Sequence, residues 1–188
     1  MGSLELAKKR ILEVISGSEV PEDFPHAQDT LNWVLRLDPM AEPGLQLAAL
    51  GHDIDRAVTA RKTRREDFPD YDAFKAQHAR NGAAILREIL AECGVEPRFT
   101  AEACRLVVVH EVGGDPRSDL LKDADSISYF QVNLPLYFLR EGWEETKRRT
   151  IWGYRRLSPT MKRFAQTLSY GREELNRLVR QAIEEAGE

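Results

Sequence analysis

Apolar residues recur at helical spacing along almost the whole chain. Between residues 3 and 16, Leu4, Ile11, Leu12 and Ile15 form a stripe on one helix face. A bend at Pro21 and Pro25 leads to a second stripe over 25–37, through Trp33, Val34 and Leu37. Pro43 and Gly44 open a third segment, LQLAALGHDIDRAV, almost continuously apolar until His52 and charged afterwards. The polar run TARKTRREDFPDYD, residues 59–72, reads as a loop bearing Pro69. A long helix follows over 73–93 and ends at Gly94, a common residue just past a helix. A fifth helix over 99–111 stops at Gly113-Gly114, and a sixth runs from Ser118 to Arg140, with a kink or break expected at Pro135. Segments over 143–156 and from 159 onward complete the pattern, the last opened by Ser158 as N-cap and Pro159 as first helical residue. Alternating strand patterns never exceed a few residues, RLVVV at 105–109 being the one ambiguous run. The expectation is an all-α fold: one globular helical domain over 1–188, of seven or eight helices.

Composition narrows the class without changing that picture. At 188 residues and 42% hydrophobic, the chain suits one domain with a real core. A net charge of −4 argues against a general nucleic-acid-binding surface, though not against a locally basic pocket. Two cysteines, Cys93 and Cys104, in no CxxC arrangement, suit small core residues in a reducing cytoplasm. The start, MGSLELAKKR, turns charged too early for a secretory signal, and Leu6 stands where a myristoylation motif needs Ser or Thr. No apolar run nears the roughly 18 residues that span a bilayer. A cytoplasmic protein with neither membrane nor nucleic acid as partner is expected.

The chemistry enters with four histidines, His26, His52, His78 and His110, each on the apolar stripe of a different helix. A buried imidazole needs its own polar partner, and one metal ion satisfies several together. Carboxylates accompany them. Asp53 directly follows His52, and Asp123 and Asp125 lie in LLKDADSISYF, a helix apolar on most sides. Two residues on a helix are separated by about 200°, so at most one of these two aspartates faces a common point with the histidines.

The order of these residues resembles the HD-domain metal-dependent phosphohydrolases, which carry a His, then His-Asp, often further histidines, and finally an Asp. Here the series reads His26, His52-Asp53, His78, His110, Asp125, with AALGHDID and KDADSI resembling the family's two signature segments over residues 20–130. The resemblance implies an HD-like helical core followed by C-terminal helices over 140–188. It implies His26, His52, Asp53, His78, His110 and Asp125 as metal ligands, with Asp125 rather than Asp123 as the final one. It also implies one divalent transition ion (Mn, Fe, Co, Ni or Zn), or two with Asp53 bridging them. Arg56 departs from the pattern, because nucleotidase-like members place an acid there.

A divalent ion lowers the pKa of bound water toward ~7 and draws charge from phosphoryl oxygens. A phosphate ester also needs cationic partners. Arg56 is three residues past Asp53, Lys122 three before Asp125, and Arg80 two past His78. Asp53, Arg56 and Lys122 are the catalytic candidates; Arg56, Lys122 and Arg80 are the substrate-binding ones. The run KRRTIWGYRRLSPTMKR, 147–163, holds seven Lys or Arg and no acid. It reads either as a solvated helical face or as a phosphate-attracting lip, with Trp152 and Tyr154 as stacking surfaces for a base. The expected activity is hydrolysis of a small phosphate ester, a nucleotide being the candidate. The alternatives are a di-iron, O₂-dependent oxygenase of the same fold and a non-catalytic ligand-binding module. Trp143, Trp152 and Tyr154 suit a homodimer face as well as a pocket.

Overall fold

The computed structural model describes residues 2–187, and every regular element among them is helical. Met1 and Glu188, the ends of the expected 1–188 domain, lie outside the described residues. The helices are α1 (Ser3–Ile15), α2 (Asp23–Leu37), α3 (Pro43–Gly51), α4 (Tyr71–Glu92), α5 (Pro97–Val109), α6 (Pro116–Ser128), α7 (Leu134–Arg156), α8 (Pro159–Ala165) and α9 (Glu173–Ala186). A π turn, Tyr129–Asn133, joins α6 to α7, so these segments form eight rods among the described residues, one of them kinked at Gly142. No described helix is long and apolar enough to cross a membrane.

Helix α3 sits at the centre because its sequence leaves no polar face. Leu45, Leu47, Ala48, Ala49 and Leu50 are all buried. A helix apolar on all sides belongs inside a protein, and α1, α2, α4, α5 and α6 all pack against α3. Each fully buried leucine contributes about 1.5–3 kcal/mol. Helix starts follow the local sequence. Asp70 caps α4 by accepting from the Ala73 N–H at 2.7 Å, and Asp115 with Ser118 forms a reciprocal capping box before Pro116 of α6. The amphipathic α9 turns Leu175, Leu178, Val179 and Ala182 inward and packs on α7.

Two elements differ from the sequence pattern. The third helix ends at Gly51 instead of running on to Val58. His52 caps it, Asp53 turns the chain (φ −106°, ψ 14°), and a 3₁₀ turn follows over Ile54–Ala57. On a continuous helix adjacent residues diverge by about 100°; the turn at Asp53 lets His52 and Asp53 face one point. Pro135 breaks nothing. Its ring crowds the carbonyl four residues back, and the π turn immediately before it widens the helix there. The interruption falls at Gly142 (φ 76°, ψ −171°), a conformation that favours glycine.

Candidate metal centre

Four helices deliver the four histidines to one place. His26 comes from α2, His52 from the end of α3, His78 from α4 and His110 from the end of α5; none is more than 2% exposed. Ring centroids are 5.0 Å apart for His26–His52, 5.3 Å for His52–His110 and 6.4 Å for His78–His110.

Each Nδ1 faces a polar group away from the centre. His52 Nδ1 lies 2.9 Å from the Ala49 carbonyl, His110 Nδ1 2.6 Å from the Val107 carbonyl, and His78 Nδ1 2.8 Å from Asp55. His26 Nδ1 lies 2.9 Å from Ser128 Oγ, whose own hydroxyl donates to the His26 carbonyl at 3.3 Å. Partners of this kind fix which ring nitrogen carries the proton and leave each Nε2 as the inward base.

The inward nitrogens meet carboxylates and one another. Nε2 of His26 and Nε2 of His52 approach to 3.1 Å, and Asp125 Oδ1 lies 3.2 and 3.5 Å from them. Asp53 stands between two groups: Oδ1 is 2.8 Å from His78 Nε2, whereas Oδ2 is 3.7 Å from His52 Nε2 and 4.0 Å from His26 Nε2. His110 Nε2 is buried without a hydrogen-bond partner, 3.1 Å from Glu111 Oε1. Lewis bases held this close need a proton or a cation between them. Three overlapping sets each bring their donor atoms within 4.8 Å of one another: His26/His52/Asp125, Asp53/His78/His110 and His110/Glu111/Asp125. Imidazole nitrogen with carboxylate oxygen suits a divalent transition ion, so the residues fit the expected metal.

Charge balance explains the shifted acidities. Burial disfavours the Asp53 carboxylate, but Arg56 and His52 outweigh it and hold the group well below the ordinary range. Arg56 reaches Asp53 at 3.1 Å and Asp23 at 3.2 Å. Burial likewise disfavours the Asp125 and Glu111 carboxylates. Arg156, 3.0 Å from Asp125, with His26 and His52, and Lys75 with His110 at Glu111, hold both well below the ordinary range. Burial alone lowers the pKa of His52, yet Asp53 and Asp125 raise it to about 9.

This centre forms the floor of a cavity of about 450 Å³, lined by His26, Asp53, His78 and Asp125 and walled by Lys62, Lys75, Arg56, Arg140, Arg148 and Arg149. Arg149 bonds the Tyr71 hydroxyl at 3.0 Å and pairs with no carboxylate among the described residues.

The structure thus brings together His26, His52, Asp53, His78, His110 and Asp125, with Arg56 beside them. It does not bring in Arg80 or Lys122. Arg80 is exposed, because two residues past His78 is the opposite side of α4. Lys122 is held by Asp119 at 3.0 Å and by the Val112 carbonyl at 3.3 Å, away from the cavity. Asp123 accepts from the Ser158 N–H at 2.7 Å, on the far side of α6 from Asp125. Trp152 lines the cavity, whereas Tyr154, two residues on, is buried and accepts from Gln166.

Residues missed by the sequence reading are Glu111, Asp55 and Lys75; Arg149 and Arg156 fall in the basic run 147–163, one of whose two readings was a phosphate-attracting lip, but had no individual role there. For Glu111 a signal was present. The His110-Glu111 pair repeats His52-Asp53: a histidine capping a helix, its Nδ1 on the carbonyl three residues back, followed by an acid.

Fold and site together define an all-helical domain with a buried His/carboxylate centre that can hold metal, an arrangement that fits a metal-dependent enzyme. The chain belongs to the family described as a domain of unknown function, DUF4202, whose model matches residues 8–179. No curated protein and no solved structure matches it.

Proposed function

We propose that this protein is a metal-dependent phosphohydrolase of the HD-domain type, acting on a small phosphate ester. The observation that carries the reading is the pairing of two features in one cavity. Its floor is a His/carboxylate centre fit for one or two divalent ions, and its wall holds a guanidinium, Arg149, without a carboxylate partner. An anion is the substrate that such a wall attracts.

His26, His52 and Asp125 are the residues that would hold one ion, and Asp53, His78 and His110 those that would hold a second. Asp53 offers one oxygen to each group. Bound there, a divalent ion supplies Lewis acidity, which activates water at neutral pH and withdraws charge from phosphoryl oxygens. The chain does the rest. Arg149 and Lys62 draw the phosphate in, and Arg56, fixed between Asp23 and Asp53, presents its guanidinium at the cavity edge of the centre. Glu111, with its charge shared between Lys75 and Arg156, lies 3.1 Å from His110 Nε2 and would face the same ion as that nitrogen.

The test is a screen of phosphate esters against chelator-stripped protein resupplied with Mn²⁺, Co²⁺, Ni²⁺ or Mg²⁺. Metal-dependent phosphate release, lost in His52→Ala and Asp53→Ala, is expected. A wild-type protein that binds none of these ions sinks the reading. Bound iron with substrate-dependent O₂ uptake transfers it to the oxygenase alternative.

A further inference from the structure

The cavity continues beyond the candidate ligands along the same two helical walls. Glu22 precedes His26 by one turn at the start of α2. Asn133 follows Asp125 by eight residues, about 12 Å along the α6–π–α7 rod. Both line the cavity, and each presents a polar atom with nothing to bind. Glu22 is 1% exposed; its Oε1 accepts from Arg140 at 2.6 Å, but its Oε2 has no partner. Asn133 is 7% exposed, and its Oδ1 has no partner either. Unpaired acceptors are costly to bury, and two lining one cavity mark a place built to receive donors.

We propose that this end of the cavity is a subsite for hydroxyl groups, so that the substrate is a sugar or polyol phosphate. The phosphate end of the proposal rests on the phosphohydrolase reading. The donors are neutral, because Arg140 already faces Glu22 and Arg148, Arg149 and Lys62 line the same cavity, so a cationic handle is repelled. The handle is also not an aromatic base. Trp152, the one stacking surface of the basic run that reaches the cavity, is covered by the Arg149 and Arg156 guanidiniums at 4.2 and 4.3 Å. Tyr71 meets Trp152 edge-on, Phe74 is stacked on His78 at 6.1 Å, and Tyr129 and Tyr137 lie under the Arg149 and Arg140 guanidiniums at 5.3 and 5.2 Å. Hydroxyls suit what remains: they donate to Glu22 Oε2 and to Asn133 Oδ1.

Calorimetric titration of the full chain, chelator-treated so that no turnover occurs, compares ribose phosphate, pentyl phosphate and adenosine monophosphate. Ribose phosphate is expected to bind about tenfold or more tighter than pentyl phosphate, the worth of one or two hydrogen bonds, and no more weakly than adenosine monophosphate. Glu22→Leu and Asn133→Leu, made separately and checked for an unchanged melting profile, each shrink that preference ratio severalfold. Equal affinity for the two pentose-length esters, a preference that survives in both variants, no measurable binding of either ester, or adenosine monophosphate binding about tenfold tighter overturns the proposal. Binding with the expected preference but no hydrolysis after Mn²⁺ is restored leaves the subsite standing and removes the phosphohydrolase reading instead.

Discussion

Asp55→Asn isolates one half of the centre from the other. The Asp55 carboxylate is fully buried and accepts from His78 Nδ1 at 2.8 Å, from the Thr63 N–H at 3.2 Å and from the Asn81 amide. Asparagine keeps the shape but loses the charge and one acceptor oxygen. A hydrogen bond to a charged acceptor contributes about 1.5–3 kcal/mol and a neutral one about 0.5–1.5, so each of the three weakens by about 1 kcal/mol. The sum, about 3 kcal/mol, lowers the melting temperature by roughly 6–12 °C in a domain of this size. Freed from Asp55, the His78 ring no longer holds its inward nitrogen fixed, which costs about 10- to 100-fold in metal affinity at the group it serves. His26, His52 and Asp125 do not touch Asp55, so their group is spared. Differential scanning calorimetry gives the stability, and elemental analysis after dialysis at limiting metal gives the stoichiometry. The expected variant melts lower and loses one ion of two, or keeps its single ion if only the His26 group binds. A melting point within 2 °C of wild type together with unchanged metal content refutes the supporting role assigned to Asp55.

Three further outcomes follow from the same geometry. Arg149→Met is expected to raise KM for a phosphate ester about 10- to 100-fold with a smaller effect on kcat, since it removes a charge-assisted contact from the entrance; steady-state kinetics that show kcat alone falling contradict this. Lys122→Ala and Arg80→Ala, which leave the cavity untouched, are expected to keep kcat/KM within about twofold of wild type. The third outcome concerns pH. In the metal-free protein His52 titrates near 9 against an ordinary 6.5, so its stabilising contribution is complete below 6.5 and lost as pH rises through about 9. An ion must displace that proton. Affinity for Mn²⁺ therefore climbs about tenfold per pH unit between 6.5 and 9, and binding at pH 7.5 releases about one proton. Calorimetry in buffers of different ionisation heat reads the release directly, and a value near zero contradicts the assignment.

The helices and the histidines were legible in the sequence for the same reason: each histidine lies on an apolar stripe, and a stripe is a one-dimensional pattern. Helix geometry allowed only one of Asp123 and Asp125 at the centre, and the resemblance to the HD-domain family implied Asp125; the structure sets Asp125 at the centre and Asp123 under Ser158. The cations were only partly legible. Spacing along a single helix suggested Arg56, Lys122 and Arg80, and Lys75, three residues before His78 on α4, fits the same rule; Arg156 reaches the centre from α7, whose packing no local pattern announces. Asp55 was hidden by the end of α3. Read as part of a continuous helix, it points away from His78; the turn at Asp53 brings it underneath that ring. The π turn was equally hidden, because Pro135 marks where the helix is stressed but not how the stress is absorbed.

The buried charges say why a cation belongs here at all. Asp23, Asp53, Asp55, Glu111 and Asp125 form one network with Arg56, Lys75 and Arg156, in which five carboxylates face three cationic side chains. By direct ion pairs two negative charges are in excess at the floor of the cavity. A network that served only to hold the fold together would be expected to match its charges, since each uncompensated one is costly. The proton drawn to His52 meets half of the excess in the metal-free chain. A divalent ion meets all of it, and does so at the point where the imidazole nitrogens already converge. Asp53 and Asp125, held well below the ordinary carboxylate range, stabilise the fold at neutral pH, so Asp53→Asn/Asp125→Asn is expected to melt lower than wild type in the presence of chelator as well as to lose its metal; calorimetry showing an unchanged melting point contradicts this.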